Sequence, residues 1–590
     1  MYTALKNYQV IISLLKQNNI RHLVLSAGTR NIPFVQSCEN DPFFTCYSVV
    51  DERSAAYMAL GISLKLNEPV VISCTSSTAT CNYFPAIAEA FHQGGQLIVL
   101  TSDRNPALLD QREDQMINQV GMYGSFVKKS VNLPIVRTEE DLWYCQRLVN
   151  EAIIATHQHG KGPVQINIPM LTYSTRCTEK ECLTARKIEL ITYETPIREW
   201  EKCLEILNSK KRVMIVCGQN NYTSPQLNKF IKQFGDIYKN VLLAEYMANI
   251  EIEDAINPFL PFDPNTLSTS AFDEFVPEIV ISLGTNVMSG IKAQLRSKAG
   301  KFEHWGIEES GKVVDMYKSL TKVFECTPEY FFNYFVNNAY RTAKDTTYLD
   351  KVKEYVNSIS LPCIPFSNNT AIRDLARLIP NNSTLHLSIN NSIRIVNYYG
   401  LRNRTIKVYS NIGTHGIDGC LSSFIGQSIV SEGLSFLIIG DLSFFYDMGA
   451  MRIKHIPKTV RILLINNYGG GEFHYSTTLA NDPTMDLHTS AAHKNQAKGW
   501  VESVGFTYFA AHNDEEYQKA LVEFMNPDAE KPILIEVFSD MEIDATNTHR
   551  LERENRKETT AEQLDAQIKK MIKSAVSPQV ITSVKKIIKK

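Results

Sequence analysis

Short apolar, β-branched runs alternate with longer helical patterns along almost the whole 590-residue chain, and this alternation constrains the fold more than any other feature. A short apolar run between turn signals suits a strand buried on both faces, and successive parallel strands need a crossover helix between them. The runs fall into three sets. The first lies at residues 22–26, 70–74 and 97–101, with helical patterns at 54–66 and 82–91. The second lies at 213–217, 241–244 and 279–283, and the third at 384–387, 406–409, 436–439, 461–465 and 533–537. The pattern predicts an α/β protein of three doubly wound parallel-sheet domains at 1–185, 195–345 and 365–545, with a basic helical tail at 546–590. Several domains also agree with a chain longer than one hydrophobic core usually serves.

Composition narrows the function classes. With 44% hydrophobic and 21% charged residues the chain can bury a core, which excludes general disorder. Lys and Arg total 61 against 63 Asp and Glu, so the whole chain lacks the basic excess of a nucleic-acid-binding protein. That mean hides a division: residues 564–590 hold seven lysines and one aspartate, a charge of +6, which leaves −8 for the rest. The tail's apolar residues are spaced for helices interrupted at Pro578. Weak docking on an anionic membrane surface and packing on its own subunit both remain open for it. Twelve cysteines without paired spacing read as reduced thiols. The N-terminal apolar run is too short to span a membrane and lacks the layout of a signal peptide, so a cytoplasmic protein is expected.

The strongest local motif runs from Gly440-Asp441 to Asn466-Asn467. One expected strand delivers an aspartate to its carboxyl end and another delivers two asparagines to its own, where ligands of open α/β sheets sit. The Asp441 carboxylate, the Asn467 amide oxygen and a main-chain carbonyl at Gly469 form a set of hard oxygen donors suited to Mg²⁺. Gly469, Gly470 and Gly471 allow the backbone close to a phosphate. A strand-end Asp followed by an Asn-rich turn also occurs in ordinary α/β domains.

This spacing resembles the diphosphate-and-magnesium motif of thiamine-diphosphate enzymes. Such enzymes hold a glutamate against the aminopyrimidine N1′, and Asp51-Glu52-Arg53-Ser54-Ala55-Ala56 supplies Glu52 at the start of a helix. A carboxyl beside that nitrogen can share a proton with it, which makes Glu52 the catalytic candidate. An acid at a helix N-terminus interacting with the dipole is the alternative. Further stretches narrow the resemblance: Ser26-Ala27-Gly28-Thr29-Arg30, Cys74-Thr75-Ser76-Ser77-Thr78-Ala79, Leu100-Thr101-Ser102-Asp103-Arg104, Gln115 with Gln119, and Gly416-Ile417-Asp418-Gly419 ahead of Gly440-Asp441-Leu442-Ser443. Together, over roughly residues 5 to 540, they resemble the 2-succinyl-5-enolpyruvyl-6-hydroxy-3-cyclohexene-1-carboxylate synthase family of menaquinone biosynthesis.

The resemblance implies thiamine diphosphate and Mg²⁺ as cofactors, decarboxylation of a 2-oxo acid, and transfer of the acyl carbanion equivalent to an acceptor. In that family the donor is 2-oxoglutarate and the acceptor isochorismate. It further implies cofactor contacts from Gly416, Ile417, Asp441, Leu442, Ser443, Asn467, Gly469 and Gly470, with Ile417 as the wedge that keeps the cofactor bent. Thr29, Arg30, Arg104, Gln115, Asn390 and Arg394 match substrate positions. A homodimer or homotetramer is implied, because the family draws the glutamate and the diphosphate site of one centre from different subunits.

The departures fall where substrate is read. Ile412 stands where the family has an arginine, Asp114 where it has an asparagine, and Ser77 where it has a glycine. The segment Asn286-Val287-Met288-Ser289-Gly290-Ile291-Lys292 displaces a family lysine, with His415 and Lys292 as possible replacements. A paralogue with another donor or acceptor, and an inactive scaffold homologue, therefore stand beside the named reaction.

Overall fold

The structure is a computed structural model that describes residues 1–172, 177–340, 345–475, 484–565 and 568. Its contacts divide the chain into two compact units, Met1–Tyr193 with Ser310–Glu325, and Glu194–Glu309 with Cys326–Lys590.

The first unit is built on six parallel strands in the order Thr45–Ser48, His22–Leu25, Val70–Cys74, Leu97–Asp103, Val164–Pro169, Lys129–Asn132. The central strands Val70–Cys74 and Leu97–Asp103 are buried at every residue, as continuous apolar runs covered by helices on both faces require. The edge strands Thr45–Ser48 and Lys129–Asn132 are short and largely polar, so the apolar-run criterion does not find them. A parallel pair, Glu189–Thr192 with Leu320–Glu325, also belongs to this unit.

In the second unit one parallel sheet takes the order Val241–Ala244, Val213–Cys217, Ile279–Leu283, Glu303–Ile307. The other has six parallel strands, in the order Lys407–Tyr409, Thr384–Leu387, Ser435–Gly440, Val460–Asn466, Ile533–Phe538, Thr507–Ala511. Numbered along the chain, this sheet and that of the first unit share the order 2-1-3-4-6-5. Both therefore reverse direction between strands 1 and 3, and the crevice outside the carboxyl ends at that reversal is where an α/β sheet receives its ligand.

The helix Met541–Glu554 follows the last strand and buries Ala545, Asn547, Thr548 and Leu551 against the third sheet's helices. The beginning of the expected tail is thus part of the folded body, because its polar residues are consumed by buried hydrogen bonds. Residues 566, 567 and 569–590, which carry the seven lysines counted in 564–590, lie outside the described residues. No described helix is long and apolar enough to cross a membrane, and all twelve cysteines are free.

Between the two sheets of the second unit, Glu245 shapes the segment that departs from the family. Its carboxylate is 1% exposed and accepts the backbone N–H groups of Met288 and Ser289 at 2.8 and 2.7 Å. Burial pushes its carboxyl up to about 7 from 4.5, against the pull of those N–H groups and Lys292. Between those values the folded protein holds more of a proton than the unfolded chain, so stability falls as pH rises through that window. Glu245→Gln removes this loss. Thermal denaturation should show the variant more stable than the wild type at pH 8, by up to about 3 kcal/mol, with no gain at pH 4; a loss at pH 8 would contradict the assignment.

Candidate functional site

At the reversal of the third sheet, strand Thr384–Leu387 leads into Ser388 and Asn390, strand Ser435–Gly440 into Asp441, and strand Val460–Asn466 into Asn467. These residues meet around one cavity of about 380 Å³. Ile417, Asp441, Leu442, Ser443, Asn467, Gly469 and Gly470 all line it, as does Asn390. Gly416 adjoins Ile417 and does not line it.

Asp441 is 2% exposed, and its carboxylate is fixed on both oxygens. Oδ1 accepts the N–H of Leu442 at 2.7 Å, and Oδ2 accepts the N–H of Gly469 at 3.0 Å. His493 places Nε2 3.3 Å from Oδ2, at an angle short of a hydrogen bond, while its Nδ1 accepts the N–H of Asn495. The ring proton therefore sits on Nε2, facing the carboxylate. Ser443 Oγ donates to the Ile417 carbonyl at 2.7 Å, which ties Ile417 to the helix that begins at Asp441.

Asn467 is oriented by a residue that no motif announces. Its Nδ2 donates to Asp544 Oδ2 at 3.0 Å, which leaves Oδ1 for the cavity. Asp544 also accepts from Ser539 Oγ and from the N–H of Asn368, and burial raises it to about 6. Gly469 adopts φ +158°, and a Cβ there would lie 2.9 Å from the Ser490 carbonyl and 3.0 Å from Met541 Sδ. A Cβ on Gly471 would lie 2.7 Å from Asn467 Nδ2. Close approach, not only the turn, demands glycine in this run.

Among the described residues no cluster of three or more His, Cys, Asp and Glu side chains is placed to hold a metal. The oxygen set of Asp441, Asn467 and the Gly469 carbonyl fits Mg²⁺, which accepts few protein ligands and keeps the rest for phosphate oxygens and water. Removing the group that orients a metal ligand typically costs 10–100-fold in metal affinity. Asp544→Ala should therefore weaken Mg²⁺ binding by about that factor in calorimetry with thiamine diphosphate present; unchanged affinity with intact circular dichroism would remove Asp544 from the site.

The equivalent end of the first unit's sheet carries the other candidates. Asp51 caps the helix Glu52–Leu66 by accepting the N–H of Arg53 at 3.0 Å and the Ser54 hydroxyl at 3.1 Å. The cap is thus Asp51, and the Glu52 side chain makes no hydrogen bond or ion pair among the described residues. Arg30, 8% exposed, donates to Gln115 Oε1 at 2.6 Å, and Ser76 Oγ donates to the Gln115 carbonyl at 3.1 Å. Arg104 is held by Glu113 at 2.7 Å and Asp114 at 2.8 Å. Thr29 is exposed at the end of the first strand.

Relatives match the sequence over nearly the whole chain. The family described as "Thiamine pyrophosphate enzyme, N-terminal TPP binding domain" matches residues 5–122, the part that holds Glu52 and Arg104. A 2-succinyl-5-enolpyruvyl-6-hydroxy-3-cyclohexene-1-carboxylate synthase of Bacteroides thetaiotaomicron is 38% identical over 555 residues, covering 92% of this chain and 98% of that protein. The chain belongs to this synthase family. Members bearing the same name from Bacteroides fragilis and Flavobacterium psychrophilum are 36% and 32% identical, each with 92% of this chain and 98% of the relative covered.

The positions that the resemblance matches to substrate contacts, and those where the chain departs from it, have partners within this chain. Ile412 is 3% exposed within the third sheet's core, and its carbonyl accepts Asn286 Nδ2 at 3.0 Å. His415 Nε2 lies 3.0 Å from Asn390 Oδ1, so the ring donates to an amide that lines the cavity. Burial lowers Lys292, which lies within electrostatic range of Glu245. Arg394 is bound by Glu472, a residue that motif reading passes over although it directly follows the glycine run.

Proposed function

We propose that the protein is a thiamine-diphosphate- and Mg²⁺-dependent transferase that decarboxylates a 2-oxo acid and transfers the acyl carbanion equivalent to an acceptor. Family membership sets the reaction expected first, 2-oxoglutarate with isochorismate in menaquinone biosynthesis. The observation that carries the cofactor reading is the convergence of Asp441, Asn467 and the glycine run on one cavity at a sheet reversal.

Asp441, Asn467 and the Gly469 carbonyl would hold the metal, and the tightly packed glycines would admit the diphosphate. Ile417, anchored through Ser443, would hold the cofactor's bend. Glu52 would share a proton with N1′ of the aminopyrimidine, a role that its freedom from capping allows. Bound there, thiamine diphosphate supplies the electron sink that CO₂ loss requires. Arg30 and Gln115 would orient substrate from the first unit.

A homodimer is part of this reading. Val50, Tyr57 and Met58 are exposed apolar side chains around Glu52, and Val430 and Tyr446 are exposed on the second unit. Such surface suits burial against another copy, and a monomer in light scattering would overturn the dimer. A cytoplasmic location is proposed on the same family grounds.

Isochorismate absorbance, followed with 2-oxoglutarate, thiamine diphosphate and Mg²⁺, tests the named reaction. Turnover is the expected result. Its absence, together with CO₂ release from another 2-oxo acid, would establish a paralogue; Ile412 in the core and the carboxylate partner of Arg394 favour that second reading.

A further inference from the structure

A diphosphate entering the cavity at the third sheet's reversal brings several negative charges, and none of the described residues lining that cavity is Lys or Arg. The charged side chains there are Asp441 and Glu472, and Glu472 is already held by Arg394 at 2.8 Å. Apart from a metal ion, the phosphate oxygens must therefore be met by neutral N–H and O–H donors. Most of the candidates are spent within the protein. The N–H of Gly469 goes to Asp441 Oδ2 at 3.0 Å, that of Gly470 to the Ser490 carbonyl at 2.6 Å, and that of Gly471 to the Gly469 carbonyl at 3.0 Å. Ser388 Oγ donates to Ser443 Oγ, Ser443 Oγ to the Ile417 carbonyl, and Asn467 Nδ2 to Asp544.

Two buried side chains lining the cavity keep a donor. Asn368 is 1% exposed, its main-chain N–H goes to Asp544 Oδ1 at 3.0 Å, and its Oδ1 accepts Asn369 Nδ2 at 2.7 Å. That amide cannot turn over: Asn369 Nδ2 also donates to Thr548 Oγ1, whose own proton goes to the Asp544 carbonyl. Asn368 Nδ2 is left without a partner among the described residues. Ser392 is 5% exposed, and its hydroxyl has no partner among them either. It is the second residue of the nine-residue helix Asn391–Tyr399, whose N-cap, Asn390, makes no side-chain capping bond. The helix thus brings its unsatisfied first N–H groups, and the positive end of its dipole, to the cavity where Asn391 and Ser392 line it. The helix Asn368–Leu378 packs against this one, so both helices begin at the same cavity.

We propose that Asn368 and Ser392 are diphosphate-binding residues, donating from Nδ2 and Oγ beside the uncapped start of the helix Asn391–Tyr399. Neither belongs to the strand-end motif that holds Asp441 and Asn467. The inference rests on the proposed function for its ligand, and inorganic diphosphate separates the two. It carries the same phosphate oxygens as the cofactor and no thiamine. Binding of inorganic diphosphate and of thiamine diphosphate, each with Mg²⁺, is read by calorimetry and needs no turnover.

Ser392→Ala should weaken both ligands by about tenfold, the loss of one hydrogen bond to a charged group. Ser392→Thr restores a hydroxyl and should bring both back to within about threefold of the wild type. Asn368→Asp keeps the Oδ1 that Asn369 uses and puts an anionic oxygen in place of the donor, so it should cost both ligands about tenfold or more. The melting temperature of unliganded Ser392→Ala should equal that of the wild type, because no described protein group uses the hydroxyl; a purely structural serine would lower it. The serine pair tests the proposal by itself should the aspartate disturb the fold. Affinities within about twofold of the wild type in Ser392→Ala, a threonine no better than alanine, or a loss confined to thiamine diphosphate would each overturn the proposal, as would a wild type that binds neither ligand. If the wild type binds thiamine diphosphate no tighter than inorganic diphosphate and the variants weaken both, the two donors stand as an anion site and the proposed cofactor falls.

Discussion

Glu52→Gln should lower turnover by about 10²–10⁴-fold, the range that a positioned proton-transfer group supplies, while thiamine diphosphate still binds. Glutamine matches glutamate in shape and cannot hold the proton at N1′. The structure makes this a clean substitution because Asp51 performs the capping, so the helix Glu52–Leu66 keeps its N-terminal hydrogen bonds in the variant. Circular dichroism should be unchanged, and calorimetry should show cofactor affinity near that of the wild type. Full turnover by the variant would show that Glu52 is not the catalytic carboxylate. Loss of the fold would show that the acid serves the helix after all.

Asp441→Ala should abolish cofactor loading at ordinary concentrations. Removing one partner of a buried charged contact costs about 2–5 kcal/mol, and this carboxylate also accepts the N–H groups of Leu442 and Gly469. Both donors would lose their partner, and the glycine run that lines the cavity would lose its tether. Asp441→Asn keeps an acceptor for one of those donors and drops the charge, so it should lie between wild type and alanine in Mg²⁺ affinity. Wild-type affinity in the asparagine variant would mean that the metal does not sit on Asp441. The readout is calorimetric titration of Mg²⁺ and thiamine diphosphate, with activity as a separate measurement.

Much of the frame is legible in the sequence because parallel strands buried on both faces must be apolar throughout. The runs at 70–74 and 213–217 coincide with strands Val70–Cys74 and Val213–Cys217 for that reason. Edge strands escape the criterion. Thr45–Ser48 has one neighbour strand and only partial burial, and Thr507–Ala511 is mostly half-buried, so neither needs a continuous apolar run. The tail shows a different limit. Charge and spacing describe residues 546–590 as one basic segment, whereas Leu551 and Glu552 are wholly buried in the body.

The convergence of Asp441, Asn467 and Gly469 on one cavity can be read from the sequence because each residue lies at or just beyond a strand end, and strand ends follow from local apolar patterning. Glu52 is readable for the same reason, as the first residue of a capped helix. The fold class, the cofactor motif and the family therefore follow from the chain alone. Tertiary structure decided the partners. Asp544 orients Asn467 from 77 residues away, and Glu472 takes Arg394 from 78 residues away. Such pairings depend on which strand ends the order 2-1-3-4-6-5 brings side by side, and no spacing along the chain encodes that adjacency. An arginine in sequence is a cation, and whether it serves a substrate or a neighbouring glutamate is settled only by what the fold places within 3 Å of it.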